Sequence, residues 1–271
     1  MTTRIRAYGN TAIGVLIIAV MLFPLYWMVN VSLQPTGGAV ATPWFPLELS
    51  FHGYASALRD QGDNLVTSLV VALGTVAFSL LVATPAAYAL AQFRVRGAGV
   101  LLFAILISQM IPGIVVANAL YSAYSDLGLL NSIPGLILAD ATHAIPFAIL
   151  IMRAYLLSIP AEVIEAARVD GAGQIRAFCS IVVPMSRNAL VTAALFTFLF
   201  TWSDFLFALT LTTTEDVRPV TLGLYQYIGA YGVPDWSPVM ATAVLASIPA
   251  VVLLVVAQRF VAAGVASGAV K

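Results

Sequence analysis

Charged residues are scarce in this chain of 271 residues: Asp, Glu, Lys and Arg together make up 9%, whereas 61% of the residues are hydrophobic. An ordinary soluble domain is about 25% charged and about 45–50% apolar. The composition therefore excludes a soluble globular protein and indicates an all-α membrane protein. Twelve basic residues balance twelve acidic residues, so no excess of positive charge indicates nucleic acid as a partner.

Residues that commonly carry chemistry are also few. The single cysteine, Cys179, excludes an internal disulfide and a cysteine metal cluster, and the two histidines, His52 and His143, exclude a histidine-rich metal site. Lys271 is the only lysine, and the phosphate-binding pattern Gly-x-x-x-x-Gly-Lys-Ser/Thr is absent. We therefore expect no catalytic residue, metal site or cofactor in this chain.

Six apolar stretches are long enough to span a bilayer, which takes about 20 helical residues. They are Thr11–Leu33, Leu65–Ala91, Val100–Tyr121, Ile133–Arg153, Asn188–Leu211 and Val239–Ala257. The sequence thus predicts one transmembrane domain over residues 1–271. A signal peptide cleaved at Ala39–Ala41 is the alternative for the first stretch, which is longer than the usual apolar region of about 7–15 residues.

Basic residues indicate the orientation, because they collect in cytoplasmic segments. With the N-terminus inside, the outer segments contain only Arg59 and Arg218. The inner segments contain the other ten: Arg4, Arg6, Arg94, Arg96, Arg153, Arg168, Arg176, Arg187, Arg259 and Lys271. This bias predicts six helices with both termini in the cytoplasm.

The inner loop Ala154–Arg187 is longer than a simple connection requires. Its pattern predicts a helix that starts near Ser158 or Pro160, with Glu162 and Glu165 at the positive end of the helix dipole. Asp170, Gly171 and Ala172 would end that helix, and a second amphipathic run over Gln174–Val183 would stop before Pro184. An ordered helix pair in this position indicates a docking surface.

The loop carries a recognisable spacing: Glu165–Ala167, three residues, Gly171, nine residues, then Ile181–Pro184. It resembles the EAA loop of permease subunits in bacterial binding-protein-dependent ABC importers, with Val183 where the family has Leu. Further matches resemble the second permease subunit of maltose-type carbohydrate importers. They are Met110–Pro112, Trp202–Phe205 and the tail from Gln258 to Lys271.

The resemblance implies the six-helix type I importer permease fold in the bacterial cell membrane and a set of partners. These are a second, different permease, two ATPase subunits that bind ATP and magnesium, an extracytoplasmic solute-binding protein, a sugar substrate and membrane lipid. The short helix after Pro160 would be the coupling helix in a cleft of the ATPase. Its coupling residues would be Glu162, Glu165, Ala166, Ala167, Arg168, Asp170 and Gly171.

Ionisable groups within a span usually face an interior cavity or a partner. Asp140 and Asp204 each lie seven residues from the outer end of their helix, about 10 Å deep, and this equal depth permits a shared polar layer. His143 follows Asp140 on the same helical face. The full set of candidates for the substrate pathway is Gln109, Asn118, Asp140, His143, Trp202, Ser203 and Asp204.

Two other interpretations remain open. Asp140, His143 and Asp204 could relay an ion in a gradient-driven secondary transporter, although six spans without an evident inverted repeat are few for that class. Asp204 could instead only bond neighbouring backbone, and Asp140 could form a satisfied pair with His143. Apart from arginines at cytoplasmic ends, such as Arg153, the spans contain no Lys or Arg, which favours a neutral or amino sugar over an anionic one.

Overall fold

The computed structural model describes residues 2–36, 42–230 and 235–269, with side chains described in these ranges except for 2–9, 226–230 and 261–269. The alternative cleavage site Ala39–Ala41 and the last two residues of the predicted tail, Val270 and Lys271, lie outside the described residues.

Regular secondary structure in the described ranges is entirely helical. The α-helices are α1 (Thr2–Ser32), α2 (His52–Gln92), α3 (Ala98–Ser108), α4 (Gly113–Leu127), α5 (Ile133–Leu156), α6 (Ala161–Val169), α7 (Gln174–Ala177), α8 (Val183–Met185), α9 (Arg187–Trp202), α10 (Leu206–Leu211), α11 (Val220–Ala230) and α12 (Trp236–Ala269). A π-helical turn, Phe178–Val182, joins α7 to α8.

Four helices in the described residues are long and apolar enough to cross a membrane, over Asn10–Ser32, His52–Gln92, Ile133–Leu156 and Trp236–Phe260. Two bent helix pairs also pass this test, so there are up to six spans if each pair counts as one. The prediction of an all-α fold is confirmed for the described residues. Pro146 lies within α5 without interrupting it.

The third predicted span, Val100–Tyr121, is wrong as a continuous helix. α3 and α4 meet at an angle of 94° across residues 109–112. Pro112 explains the break, because proline lacks an N–H and disfavours helical geometry in the residue before it. The sequence Met110–Pro112 is therefore a corner between two helices.

The fifth predicted span, Asn188–Leu211, is also interrupted. α9 ends at Trp202, and α10 begins only at Leu206. Before α9, the helical segment Gln174–Met185 meets it at 75°. That segment continues through Pro184, so the prediction that it stops before Pro184 is wrong.

The chain divides into two compact units, the first comprising Met1–Asp63 with Gly223–Ile248. In this unit a buried polar cluster joins the end of α1 to the start of α12. The Ser237 hydroxyl bonds the carbonyl oxygens of Ser32 (3.3 Å) and Gln34 (3.0 Å). The Ser32 hydroxyl lies 2.8 Å from that of Tyr54 on α2. These bonds satisfy backbone carbonyls beyond the end of α1, which water would otherwise have to solvate.

The second unit comprises Asn64–Leu222 with Pro249–Lys271 and contains three apolar clusters. The largest joins the C-terminal halves of α2 and α5 to α6, the π-helical turn and α9. A second packs α4, α5 and α10 around Tyr124, Leu136 and Phe207. The third sets Ala72 against Phe198 and Trp202, with α12 packed on them. Small residues such as Ala87, Ala148 and Ala193 are fully buried, as is common where membrane helices approach closely.

The first turn of α5 depends on Gly135. Its N–H donates to the Ser132 hydroxyl (3.1 Å), which caps the helix and itself donates to the Leu129 carbonyl (2.7 Å). A Cβ at Gly135 would overlap the Leu129 carbonyl oxygen and lie 2.9 Å from the Ser132 hydroxyl.

Gly135→Ala is expected to destabilise the protein by about 1–3 kcal/mol, because the added methyl overpacks the capped turn. The measurement is the thermal unfolding midpoint of purified protein. Gly62→Ala is the matched control, since its Cβ would meet no atom within 4 Å and alanine favours a helix by about 0.5–1 kcal/mol. Equal midpoints for the two variants would contradict this account of the turn.

Candidate functional site

A cavity of about 180 Å³ lies in the second unit where α4, α5, α9 and α10 converge. Its lining residues are Gly113, Asp140, His143, Phe200, Thr201, Asp204, Leu206 and Phe207. Pockets for drug-sized ligands measure about 300–1,000 Å³. This cavity can therefore enclose only part of such a ligand.

Asp204 holds the break between α9 and α10 in place. Its carboxylate accepts the backbone N–H groups of Phe207 (3.3 Å) and Ala208 (3.1 Å), and its carbonyl accepts the Thr221 hydroxyl (2.6 Å). Amides at a helix start have no partner within the helix, and a carboxylate there is a favourable acceptor. Asp204 is thus committed to its own backbone as well as lining the cavity.

Asp140 and His143 project from α5 into the same cavity as Asp204. Asp140 is 8% exposed, and no described residue donates a hydrogen bond to its carboxylate. The His143 ring lies 5.7 Å from that of Phe207, and its Nδ1 is 3.1 Å from the Thr142 hydroxyl. The structure thus brings together the three ionisable residues predicted for the pathway, but Asp140 forms no hydrogen bond with His143.

The other four predicted pathway residues do not line the cavity. Trp202 is buried and stacks on Phe198, with ring centroids 5.3 Å apart and planes 12° apart. The Ser203 hydroxyl bonds back to the Leu199 carbonyl (2.8 Å). Gln109 donates to the His143 carbonyl at 3.3 Å, while Asn118 is exposed on α4.

The aromatic residues of the cavity are Phe200 and Phe207, which sequence analysis missed. Trp202 stood out because it adjoins Ser203 and Asp204 in sequence, but α9 turns its ring into the apolar cluster with Ala72. The sequence does contain a signal for Phe207, which lies three residues after Asp204. An aspartate that caps a helix accepts a hydrogen bond from the backbone N–H about three residues later, so Phe207 would lie close to Asp204. Across the parts of the chain that the structure describes, no three His, Cys, Asp or Glu side chains form a potential metal-binding group.

A second candidate site is α6 with the turn that follows it. Ile164 (5% exposed) and Ala167 (8%) face the chain's own apolar core, whereas Glu162, Glu165, Ala166 and Arg168 are exposed. Ala167 is among the predicted coupling residues, but its side chain packs inward and is not on the outward face of the helix. Val169, at 88% exposed, is an apolar member of the outward face that the prediction omitted.

Gly171 ends α6 through a Schellman motif. It adopts a φ of +84°, its N–H donates to the Arg168 carbonyl (3.0 Å), and the N–H of Ala172 donates to the Ala167 carbonyl (2.9 Å). Glycine takes this left-handed geometry without the penalty that other residues meet. The turn agrees with the break predicted at Asp170–Ala172.

Side-chain hydrogen bonds and a ring contact hold the connecting segment, residues 157–186 between α5 and α9, against the transmembrane helices α2 and α5. The amide of Gln92, at the end of α2, donates to the carbonyls of Leu156 (2.8 Å) and Ile159 (3.3 Å). The Tyr155 hydroxyl donates to the Met185 carbonyl (3.1 Å). The rings of Tyr88 on α2 and Phe178 in the π-helical turn lie 5.2 Å apart. The segment is thus a braced unit that can transmit a displacement to α2 and α5.

Comparison with known proteins locates a shared sequence region over most of the second unit. Residues 79–267 match the family described as binding-protein-dependent transport system inner membrane component. This region includes α6 and the cavity residues.

Individual relatives match over nearly the whole chain. A trehalose transport system permease protein of Mycobacterium tuberculosis is 32% identical over 270 residues, covering 98% of each chain. A diacetylchitobiose uptake system permease protein of Streptomyces coelicolor is 30% identical, covering 98% of this chain and 97% of its own. A chain in the crystal structure of a bacterial ABC transporter that imports the acidic polysaccharide alginate superposes with a TM-score of 0.83 at 25% identity, covering 96% and 97%.

The capping role of Asp204 can be tested by removing one or both of its acceptor oxygens. Asp204→Ala is expected to lower stability by about 1 kcal/mol, because two amides of α10 lose their acceptor. Asp204→Asn keeps one acceptor oxygen for one of the two amides and places an NH2 donor against the other, so a smaller loss than in Asp204→Ala is expected. Thermal unfolding midpoints of the two purified variants provide the measurement, and a midpoint of Asp204→Ala equal to that of the wild type would contradict the capping role.

Proposed function

Since this chain belongs to the family of binding-protein-dependent transport system inner membrane components, we propose that it forms half of the translocation pathway of an ATP-driven carbohydrate importer. It is a multi-pass membrane protein and a permease subunit of an ABC importer. The proposal adds the sugar cargo, the bacterial cell membrane, the cytoplasmic placement of both termini and the residues that couple transport to ATP hydrolysis.

One observation carries the coupling proposal: one face of α6 packs against the protein, and the opposite face is exposed. Its inner face packs Ile164 into the apolar core of the second unit. Its outer face presents Glu165, Arg168 and the apolar Val169. Exposed large apolar side chains on a short, anchored helix favour a protein partner, so α6 is the coupling helix and its partner is the ATPase.

Charge on the outer face would orient that contact. Glu162 lies in the first turn of α6 and Glu165 at its middle, while Arg168 and Asp170 lie at its end. Pairs across a protein interface mainly select partner and register. Glu162, Glu165 and Asp170 would meet basic groups of the ATPase, Arg168 would meet an acidic group, and Ala166 would allow close approach.

The assembly would follow the general plan of the family, in which a permease works with a second permease, ATPase subunits and a binding protein. We propose two ATPase copies, which would bind ATP and magnesium and supply the hydrolysis. The sequence of this chain contains no phosphate-binding loop. ATP binding can change access to the pathway only if it alters contact energies at α6.

The cargo proposal follows the relatives and the cavity together. The two sequence relatives carry the names of trehalose and diacetylchitobiose transporters, a neutral sugar and an amino sugar. Asp140, His143 and Asp204 are polar groups in a small cavity, and a second permease would provide the remaining wall. An ion-gradient transporter using the same residues is not supported, because the structural matches are ABC transporter permeases.

Cross-linking tests the docking role of α6. In a Cys179→Ser background, which removes the only cysteine, Val169→Cys is expected to cross-link to the ATPase in isolated membranes of a strain that expresses the complex. Leu127→Cys is the matched control, because Leu127 is 69% exposed but lies at the end of α4. Gel analysis of the products identifies the partner.

Exclusive cross-linking of V169C to lipid or to its own chain would reject α6 as the coupling helix. Equal capture of the ATPase by L127C would also reject it, because contact would then not depend on this helix.

Gly171 and Gly173 provide a matched pair for the turn after α6. Both would place an added Cβ in open space, but only Gly171 has a positive φ, which costs about 1–2 kcal/mol for an alanine. Gly171→Ala is therefore expected to raise the number of ATP molecules hydrolysed per sugar imported, whereas Gly173→Ala should not. Reconstituted complexes provide both rates, and identical ratios for the two variants would contradict a role for the turn in coupling.

A further inference from the structure

We infer that the cavity in this subunit is a sugar subsite that accepts hydrogen-bond donors and disfavours anions, with Asp140 and Thr201 as its ligand-contacting residues and Asp204 as a positioning residue. The inference rests on the proposed function, because it specifies which part of an imported sugar this chain would contact. It assigns different roles to two carboxylates that line the same cavity.

The first step is the difference between the two carboxylates. Asp204 already accepts two backbone N–H groups, and these bonds fix its orientation. Asp140 is only 8% exposed, yet no described residue donates a hydrogen bond to its carboxylate. A buried carboxylate without a donor is unfavourable, so Asp140 retains capacity for donors that enter the cavity.

Thr201 provides a second, independent observation. It lines the same cavity, it is 7% exposed, and its hydroxyl is buried without a hydrogen-bond partner in the structure. Among the described residues, the hydroxyls of Thr75, Ser79, Thr84 and Thr197 are also buried without a partner. None of these four residues lines the cavity, whereas Thr201 does. An unused hydroxyl and an unused carboxylate at one cavity together indicate a ligand with several hydroxyl groups.

The rest of the lining favours the same class of ligand. Phe200 and Phe207 supply apolar surface, against which the C–H face of a sugar ring can pack. Among the described residues, the cavity lining includes two carboxylates, the single imidazole of His143 and no lysine or arginine, so acidic groups outnumber basic ones. A uronate would therefore bring its negative charge towards acidic groups, whereas a neutral or amino sugar would bring donors.

One solved relative of this protein belongs to an importer with a different kind of cargo. A chain of the alginate importer shares the fold of this protein at a TM-score of 0.83, yet alginate is acidic. The cavity chemistry assigns this chain to a different cargo class from that of its structural relative.

The test measures thermal stabilisation of the complete complex, purified with its second permease and ATPase, by trehalose, N,N′-diacetylchitobiose and an alginate disaccharide. Ligand binding to the folded state raises the unfolding midpoint. The wild-type complex is expected to respond to trehalose or diacetylchitobiose and not to the alginate disaccharide. Asp140→Asn and Thr201→Val should each require at least about ten-fold more sugar for the same rise, as expected for losing a hydrogen bond to a charged or buried group.

Stability without sugar separates ligand contact from a structural role. Removing an unpartnered buried hydroxyl is neutral or stabilising, so Thr201→Val should unfold at or above the wild-type midpoint while responding poorly to sugar. Thr201→Ser should keep the response. Asp126→Asn, on the exposed side of α4, is the control for Asp140→Asn and should behave as wild type.

Several results would overturn the inference: wild-type sugar responses in both D140N and T201V, no response of the wild-type complex to either sugar, or an equal response to the alginate disaccharide. A lower midpoint of T201V without sugar would also overturn it, because the hydroxyl would then have a structural partner. ATP-dependent uptake by cells expressing the complete importer tests the proposed function separately. If cells still import sugar while the D140N and T201V complexes respond to sugar as the wild type does, only the subsite is rejected and the proposed function stands.

Discussion

Backbone amides that lose their helical partners are the constraint on which this fold depends. Hydrocarbon offers no hydrogen bonds, so a transmembrane chain can leave the helical path only where protein groups or a polar cavity satisfy the freed amides. The chain does so between α9 and α10, where the Asp204 carboxylate accepts the N–H groups of Phe207 and Ala208. The break frees two amides, the Asp204 carboxylate accepts their hydrogen bonds, and the cavity lies beside this break.

The same reasoning explains which parts of the fold could be predicted. Long apolar stretches identified the membrane-spanning regions, because hydrophobic length is a local property. Gln109 and Asp204 are isolated strongly polar residues within long apolar stretches, so hydropathy alone predicts helix through both the corner at Pro112 and the break at Asp204. A proline can kink a helix or end it, and the difference depends on packing partners such as α10 that are distant in sequence.

In each of the two candidate sites, some features could be predicted from the local sequence and others could not. The turn at Gly171 was predictable because a left-handed residue after an amphipathic run needs only local geometry. The placement of Asp140 and His143 in one cavity followed from their helical spacing. The inward packing of Ala167 and the burial of Trp202 against Phe198 were not predictable, because they depend on which helix lies alongside. Phe200 and Phe207 were missed for the same reason.

The small volume of the cavity, about 180 Å³, has an evolutionary consequence. If a companion permease supplies the facing wall, selectivity is divided between two genes, and only one of them has to change when a bacterium exploits a new nutrient. The contact between α6 and the ATPase would meanwhile stay unchanged. Such a division lets cargo preference diverge quickly while the machinery that powers uptake is inherited intact.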